Sequence, residues 1–299
     1  MNTKISARTI IILATITTLL GFSLSQGKYL VNRINNCSTI SFLDIGQGDS
    51  VLLNNNQGEQ ILIDGGESPK ILVELGKSMP IWDKKIELMI LSHSHADHVN
   101  GLAYTIKNFR VDHLLLNGAI DLHNQALASL ITTAKAQGTT ISFAKSNLKL
   151  SIKPFEIIIM APEVSYLGKA PPQNLNNTSI IGKVTIKDNT TTDNISLFFS
   201  GDAELEAEAE LIELSQKYNW DLNATIFKAG HHGSRTSSSQ ALLDLIKPKI
   251  VVIQSGKDNS YGHPHLETLE KLAKMGIKTY RNDLEGTVNF RICGDKIST

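Results

Sequence analysis

Short apolar runs bounded by glycine, asparagine and aspartate recur along most of this 299-residue chain, and they alternate with stretches of helical period. Residues 38–43 and 50–53 predict two strands on either side of a Gly-rich turn, "DIGQGDS". Residues 61–63 predict a strand ending in "DGG", 71–75 part of a short helix, 86–91 a buried strand and 100–107 a helix. "VDHLLL" is a further strand, 124–136 a helix, "TTISFA" a strand and 147–160 a strand pair. The Pro- and Asn-rich stretch 162–177 predicts a loop. "SIIGKVTI", "ISLFFS", "ATIFKA" and "KIVVIQ" predict strands. An acidic helix follows the second of these, a helix through Leu242 the third, and a helix over 265–275 the fourth. "KTYRN" and "TVNFRI" complete the chain. Meanders mixed with strand–helix units argue for an α/β architecture of two sheets with helices outside them, one domain over 38–299. The acidic helix "DAELEAEAELIELSQK" is expected to turn its glutamates to solvent, with only Asp202 at its start carrying chemistry.

The first residues break this pattern. Lys4 and Arg8 precede an apolar run from Ile10 to Leu24, and no acidic residue occurs before Asp44. A basic start and a short apolar stretch predict a signal peptide or N-terminal membrane anchor over 1–25, with 26–37 as a linker. The run is short for a full span of about 20 residues. A buried N-terminal helix or strand is the alternative. Export would place the domain outside the cytoplasm, secreted or tethered to a membrane. Overall charge is balanced, so a polyanion site must be a local feature, for which Lys228, Arg235 and Arg281 are the candidates. Cys37 and Cys293 lie near the two ends of the domain. In an exported protein they could pair, and two unrelated buried thiols are the other reading.

Candidate chemistry collects where strands are predicted to end. "LSHSHADHVNG" places three of the nine histidines and an aspartate within six residues, directly after an apolar strand. His93 and His95 alternate by two and can point to one side, while Asp97 and His98 come one tight turn later. Imidazole and carboxylate suit Zn²⁺, Mn²⁺ or iron. Four donors in six residues can begin a two-metal site. Asp202 ends "LFFSGDA", His231 and His232 end "TIFKAGHHGS", and Asp64 ends "ILIDGG". Asp64 is suited to orient a ligand imidazole. Ser234 and the serines after it can cap the next helix, whose N-terminus would attract an anion, with Arg235 nearby. His263, in "YGHPH", could contact phosphate or act as general acid.

These segments resemble the metallo-β-lactamase fold superfamily and, within it, the C-terminal hydrolase domain of ComEC-type competence proteins. The matching pieces are "FLDIGQGDS", "ILIDGG", "LSHSHADHVNGL", "NNTSI", "LFFSGDA", "FKAGHHGSRTSSS" and "YGHPH", in the family's order from Phe42 to His265. The resemblance implies a four-layer αββα sandwich with two divalent ions, Zn²⁺ or Mn²⁺, at one edge of the sheets. By it, His93 and His95 hold the first ion, Asp97 and His98 the second, and Asp202 bridges. His232 is favoured over His231 to complete the second site, leaving His231 facing substrate. The third first-site histidine of many relatives is absent, and Asn176 or Asn177 of "NNTSI" stands at that place in the order. The implied activity is hydrolysis of a phosphodiester, DNA among the candidates, through a metal-bound hydroxide. A β-lactamase or thioester hydrolase, and a binding module with a vestigial site, are the alternatives.

Overall fold

The computed structural model describes residues 37–170, 172–187 and 194–299, together with Gly27. The expected signal or anchor segment lies outside the described residues. The chain first lays down β1 (Ser38–Phe42), β2 (Val51–Asn54), β3 (Gln60–Ile63), β4 (Lys85–Leu91), β5 (Arg110–Leu116) and β6 (Thr140–Phe143). It continues with β7 (Leu148–Ile152), β8 (Phe155–Ala161), β9 (Ile181–Ile186), β10 (Ile195–Phe199), β11 (Ile226–Lys228), β12 (Ile250–Ile253) and β13 (Lys278–Arg281). It ends with β14 (Val288–Cys293) and β15 (Lys296–Ser298). One sheet runs β15-β14-β1-β2-β3-β4-β5-β6 and the other β13-β12-β11-β10-β9-β8-β7.

Period-two alternation decides what fills each layer. Ile40, Phe42, Val51, Leu53, Ile61, Ile63, Leu88 and Ile90 of the first sheet pack against Ile157, Ile159, Val184, Leu197, Phe199 and Val252 of the second. The intervening Leu52, Leu62, Met89 and Leu91 face the other way. There they meet α1 (Lys70–Ser78), α2 (Ala96–Asn108) and α3 (Gln125–Gln137). The second sheet's outer side carries Phe198, Phe227, Val251 and Ile253, covered by α4 (Leu205–Tyr218), α5 (Gln240–Ile246) and α6 (Leu266–Lys274). Both faces of both sheets are therefore covered, which is why "LMIL" and "LFF" read as unbroken apolar runs. This is the four-layer αββα metallo-β-lactamase fold.

β3, β4 and β5 run parallel in the first sheet, and β10, β11 and β12 in the second. Each of these strands leads through a covering helix to a parallel neighbour, β5 to β6 and β12 to β13 included, so the loops leaving their C-terminal ends gather on one rim. Ligand sites of open α/β sheets sit beyond such ends.

Several local expectations are corrected. α2 begins at Ala96, not near residue 100, so Asp97 and His98 occupy its first turn. No side chain caps that start, and the sequence carries no marker for it. α4 begins at Leu205, leaving Asp202 in the loop ahead of it. The cap expected from the serines after Ser234 falls at Ser239, whose side chain accepts from Leu242 N–H at the start of α5. Glu208 is buried instead of solvated, accepting from the N–H groups of Ser238 and Ser239 at 2.5 and 2.8 Å. The short α7 (Asn282–Glu285) and edge strand β15 were not predicted. Cys37 and Cys293 form a disulfide, which joins the start of β1 to the end of β14.

Candidate metal centre

The loop from β4 into α2 is held in shape by its neighbours. Asp64, just past β3, adopts a left-handed backbone with φ 57°. Its Oδ1 accepts from Ser92 N–H at 2.8 Å, and its Oδ2 lies 3.0 Å from His98 Nδ1. Gly65 and Gly101 let that turn lie against α2: a Cβ on Gly101 would fall 1.7 Å from the Gly65 carbonyl oxygen. No residue other than glycine fits there. From the other side, "NNTSI" docks on the same loop. Ile180 N–H donates to Ser92 O, and Ser179 Oγ accepts from Asp202 N–H while lying 3.4 Å from His93 Nδ1.

The histidine pair His231–His232 follows β11. Both residues have left-handed φ, 45° and 55°. Each costs about 1 kcal/mol or more in this region. Hydrogen bonds hold the turn: His231 N–H donates to Gly201 O, Ser238 Oγ accepts from Gly230 N–H, and Ser237 Oγ donates to Gly230 O.

These loops bring Asp97, His98, Asp202 and His232 together, with one donor atom from each all within 4.8 Å of one another. His98 Nε2 and His232 Nε2 lie 3.2 and 3.3 Å from Asp202 Oδ2, and His232 Nε2 lies 3.1 Å from Asp97 Oδ2. The outer nitrogens are already engaged. His98 Nδ1 faces Asp64, and His232 Nδ1 faces the Gln254 carbonyl at 2.9 Å and Asp49 Oδ1 at 3.2 Å. With Nδ1–H committed outward, each ring turns its Nε2 lone pair towards carboxylate oxygens. Such an arrangement is satisfied either by a second proton on each ring or by a metal cation between the donors. His98 Nε2 and Asp202 Oδ1 are indeed buried without hydrogen-bond partners. A divalent ion fits this donor set, which is the carboxylate–histidine–metal arrangement.

The electrostatics agree. Burial alone would lower the basicity of His98 and His232, but Asp202, with Asp64 at one ring and Asp49 at the other, holds both well above their ordinary value. Asp202 is buried and Asp97 partly so, which alone would raise them, yet the surrounding histidines hold both below the usual carboxylate range. Metal-free, the cluster recruits protons where an ion belongs. Burial, and next the charge at His98, pushes His93 well below its ordinary value and keeps it neutral.

The expected first-site pair lies alongside. His93 Nε2 is 3.1 Å from His95 Nδ1 and 3.9 Å from Asp202 Oδ2. Among the described residues these three do not form a further group as tight as the first. Asn176 lies in the single turn Asn176–Thr178, with its Oδ1 buried and without a partner. Asn177 is committed elsewhere, accepting from Glu204 N–H. His231 sits at the mouth, its Nδ1 3.2 Å from Glu204 and its Nε2 3.8 Å from Asp202. His263 lies beyond, its ring 5.3 Å from that of His231. Burial, then the charges of His232, His231 and His265, lower His263 to about 4. A neutral ring at this place can donate a hydrogen bond to a phosphoryl oxygen.

The expected basic track is not formed. Lys228 is 1% exposed and ion-paired with buried Asp49, while Arg281 is bound by Asp283. Arg235 is exposed and 3.9 Å from Glu267. Ser234 is buried against Thr236, not presented to a ligand. Asp49 and Ser179 are the residues that sequence reasoning missed. Both sit in motifs already noted, but their partners become visible only when the two sheets meet.

Residues 43–147 match the model of the metallo-beta-lactamase superfamily. Among solved structures, CmlA, a diiron beta-hydroxylase from Streptomyces venezuelae, superposes with a TM-score of 0.53 at 13% identity, over 85% of this chain and 54% of that one. Tm1679, a metal-dependent hydrolase of the beta-lactamase superfamily, gives 0.50 at 12%, over 84% and 98%. Fold and donors together define the class: a protein of the metallo-β-lactamase fold with a four-donor group suited to a divalent ion. Within that class the chain is 28% identical over 209 residues to ComE operon protein 3 of Bacillus subtilis, covering 70% of this chain and 25% of that protein. It is 36% identical over 95 residues to competence protein ComA of Neisseria gonorrhoeae, covering 32% and 13%. The chain thus spans a quarter or less of the length of these relatives.

Proposed function

We propose that the chain is an exported metal-dependent phosphodiesterase, with DNA as the leading candidate substrate. The observation that carries the reading is the buried four-donor group, whose inward lone pairs and unpartnered Asp202 oxygen call for a divalent ion. Zn²⁺ or Mn²⁺ held there would make water nucleophilic near neutral pH and neutralise phosphate charge. Asp97, His98 and His232 would hold one ion, His93 and His95, with Asn176 as a further candidate donor, would hold the other, and Asp202 would serve both. Asp64 and Asp49 fix the ligand tautomers. Neutral His231 and His263 are suited to donate hydrogen bonds to non-reacting phosphoryl oxygens. Similarity to competence proteins supports a DNA-related role. The Cys37–Cys293 disulfide supports an oxidising, extracytoplasmic location for the domain, consistent with an N-terminal signal or anchor.

Residues 26–299, purified without chelator, are assayed for bound metal by elemental analysis and for hydrolysis of bis-p-nitrophenyl phosphate with Zn²⁺ or Mn²⁺, beside Asp97→Ala. About two ions per chain with turnover lost in the variant is the expected result. Metal without phosphodiester turnover would move the assignment to another ester or a lactam. Neither metal nor turnover would sink the enzyme reading.

A further inference from the structure

An exposed aromatic ring stands beside the metal centre without a role in holding the fold. Tyr261 is 64% exposed, yet its loop is firmly braced. Asn259 Oδ1 accepts from both Tyr261 N–H and His263 N–H, and Asn259 Nδ2 donates to the carbonyls of Gly256 and His263. Gly256 N–H in turn donates to Gln47 in the β1–β2 turn. One face of the Tyr261 ring stacks on His263, with centroids 5.8 Å apart and planes 20° apart. His263 lies 6.0 Å from the ring of His232, a member of the four-donor group, at 38°. Three rings therefore step from the metal donors to solvent at intervals of 6.0 and 5.8 Å. The last presents a free face.

The charge distribution around the mouth points the same way. Lys228 and Arg281 are spent on internal ion pairs, so phosphate neutralisation is left to a few exposed cations such as Arg235 and Lys257. Further affinity for a nucleic acid has to come from elsewhere. An aromatic face on a rigid loop supplies it through stacking, provided the base is unpaired and accessible.

We propose that Tyr261, backed by His263, is a stacking subsite for an unpaired nucleobase flanking the phosphodiester at the metal centre. The proposal rests on the phosphodiesterase reading and narrows its substrate to single-stranded or frayed nucleic acid. The test compares fluorescein-labelled oligothymidylate with an abasic deoxyribose phosphodiester of equal length. Binding is read by anisotropy in wild type, Tyr261→Phe and Tyr261→Ala, with turnover measured in parallel. Tyr261→Ala should weaken binding of the base-bearing strand by about tenfold, the loss of one base–aromatic stack. Tyr261→Phe should bind like wild type, and all three should bind the abasic strand equally. Equal weakening on both strands, or no change on either, overturns the subsite. Base-dependent binding without turnover of either strand would leave the subsite standing and overturn the phosphodiesterase reading instead.

Discussion

The two halves of the candidate metal centre are braced differently, although one short loop contributes to both. His98 and His232, in the four-donor group, each rest their outer nitrogen on a charged or strongly accepting partner: Asp64 for one, the Gln254 carbonyl and Asp49 for the other. His93 rests on two hydroxyls, Ser92 Oγ at 3.2 Å and Ser179 Oγ at 3.4 Å, and His95 is half-exposed. A carboxylate behind an imidazole raises its basicity and fixes its tautomer, whereas a hydroxyl does this weakly. On the proposed two-ion reading, the four-donor half would hold its ion firmly and the His93–His95 half would hold one loosely.

The largest effect should come from removing the shared ligand. Asp202→Ala takes the carboxylate from both halves, and calorimetric titration should show metal affinity falling by more than ~100-fold, beyond the range for losing an orienting partner. Retention of tight binding at one half would show that the halves are independent. Next, Lys228→Met leaves Asp49 buried without its counter-ion. Urea denaturation should show a loss of about 3–5 kcal/mol. Pairing it with Asp49→Leu should recover much of that, because both charges then leave together.

The comparison is sharpened by two orienting residues. Asp64→Asn keeps a side chain that tolerates the left-handed backbone but removes the charge behind His98, and should weaken the tighter site roughly 10- to 100-fold. Ser179→Ala removes one hydroxyl from the looser half and should cost about 1 kcal/mol, some fivefold, in the weaker binding step. If the two variants cost the same, the asymmetry argued here is wrong.

The pH dependence is smaller and has a definite sign. His98 and His232 titrate above their ordinary 6.5 in the metal-free fold. Their contribution is complete below that value and is lost as pH rises through the raised folded values. Asp97 and Asp202 are lowered, so theirs is present above the ordinary 3.8 and lost as pH falls. The chelated protein should lose thermal stability on the alkaline side, by about 2–4 °C per kcal/mol. The metal-loaded protein should not, since the ion replaces those protons. Parallel calorimetric melting curves would test this, and identical alkaline slopes would argue against metal at the cluster.

The part of the centre that could be read from the sequence is the part that is local. His93, His95, Asp97 and His98 lie on one loop, and their spacing alone suggests ligation. Strands such as "LMIL" and "LFF" are recognisable because covered sheets are apolar on both faces. What escaped depends on contacts between the sheets. Asp49 looks like a turn residue until β11 brings Lys228 beneath it, and Lys228 looks like a surface cation for the same reason. Glu208 follows the helical period of its acidic neighbours but meets the 238–239 backbone, whose position no local pattern encodes. The start of α2 was placed late because its N-terminal residue carries no capping side chain.

The Cys37–Cys293 bond, spanning 256 positions of sequence, makes the chain between the two cysteines a covalent ring. A protease that cuts any one loop inside that ring opens it without releasing a fragment. The nicked protein stays a single molecule, free to reclose around its core, until a second cut or a reductant separates the pieces.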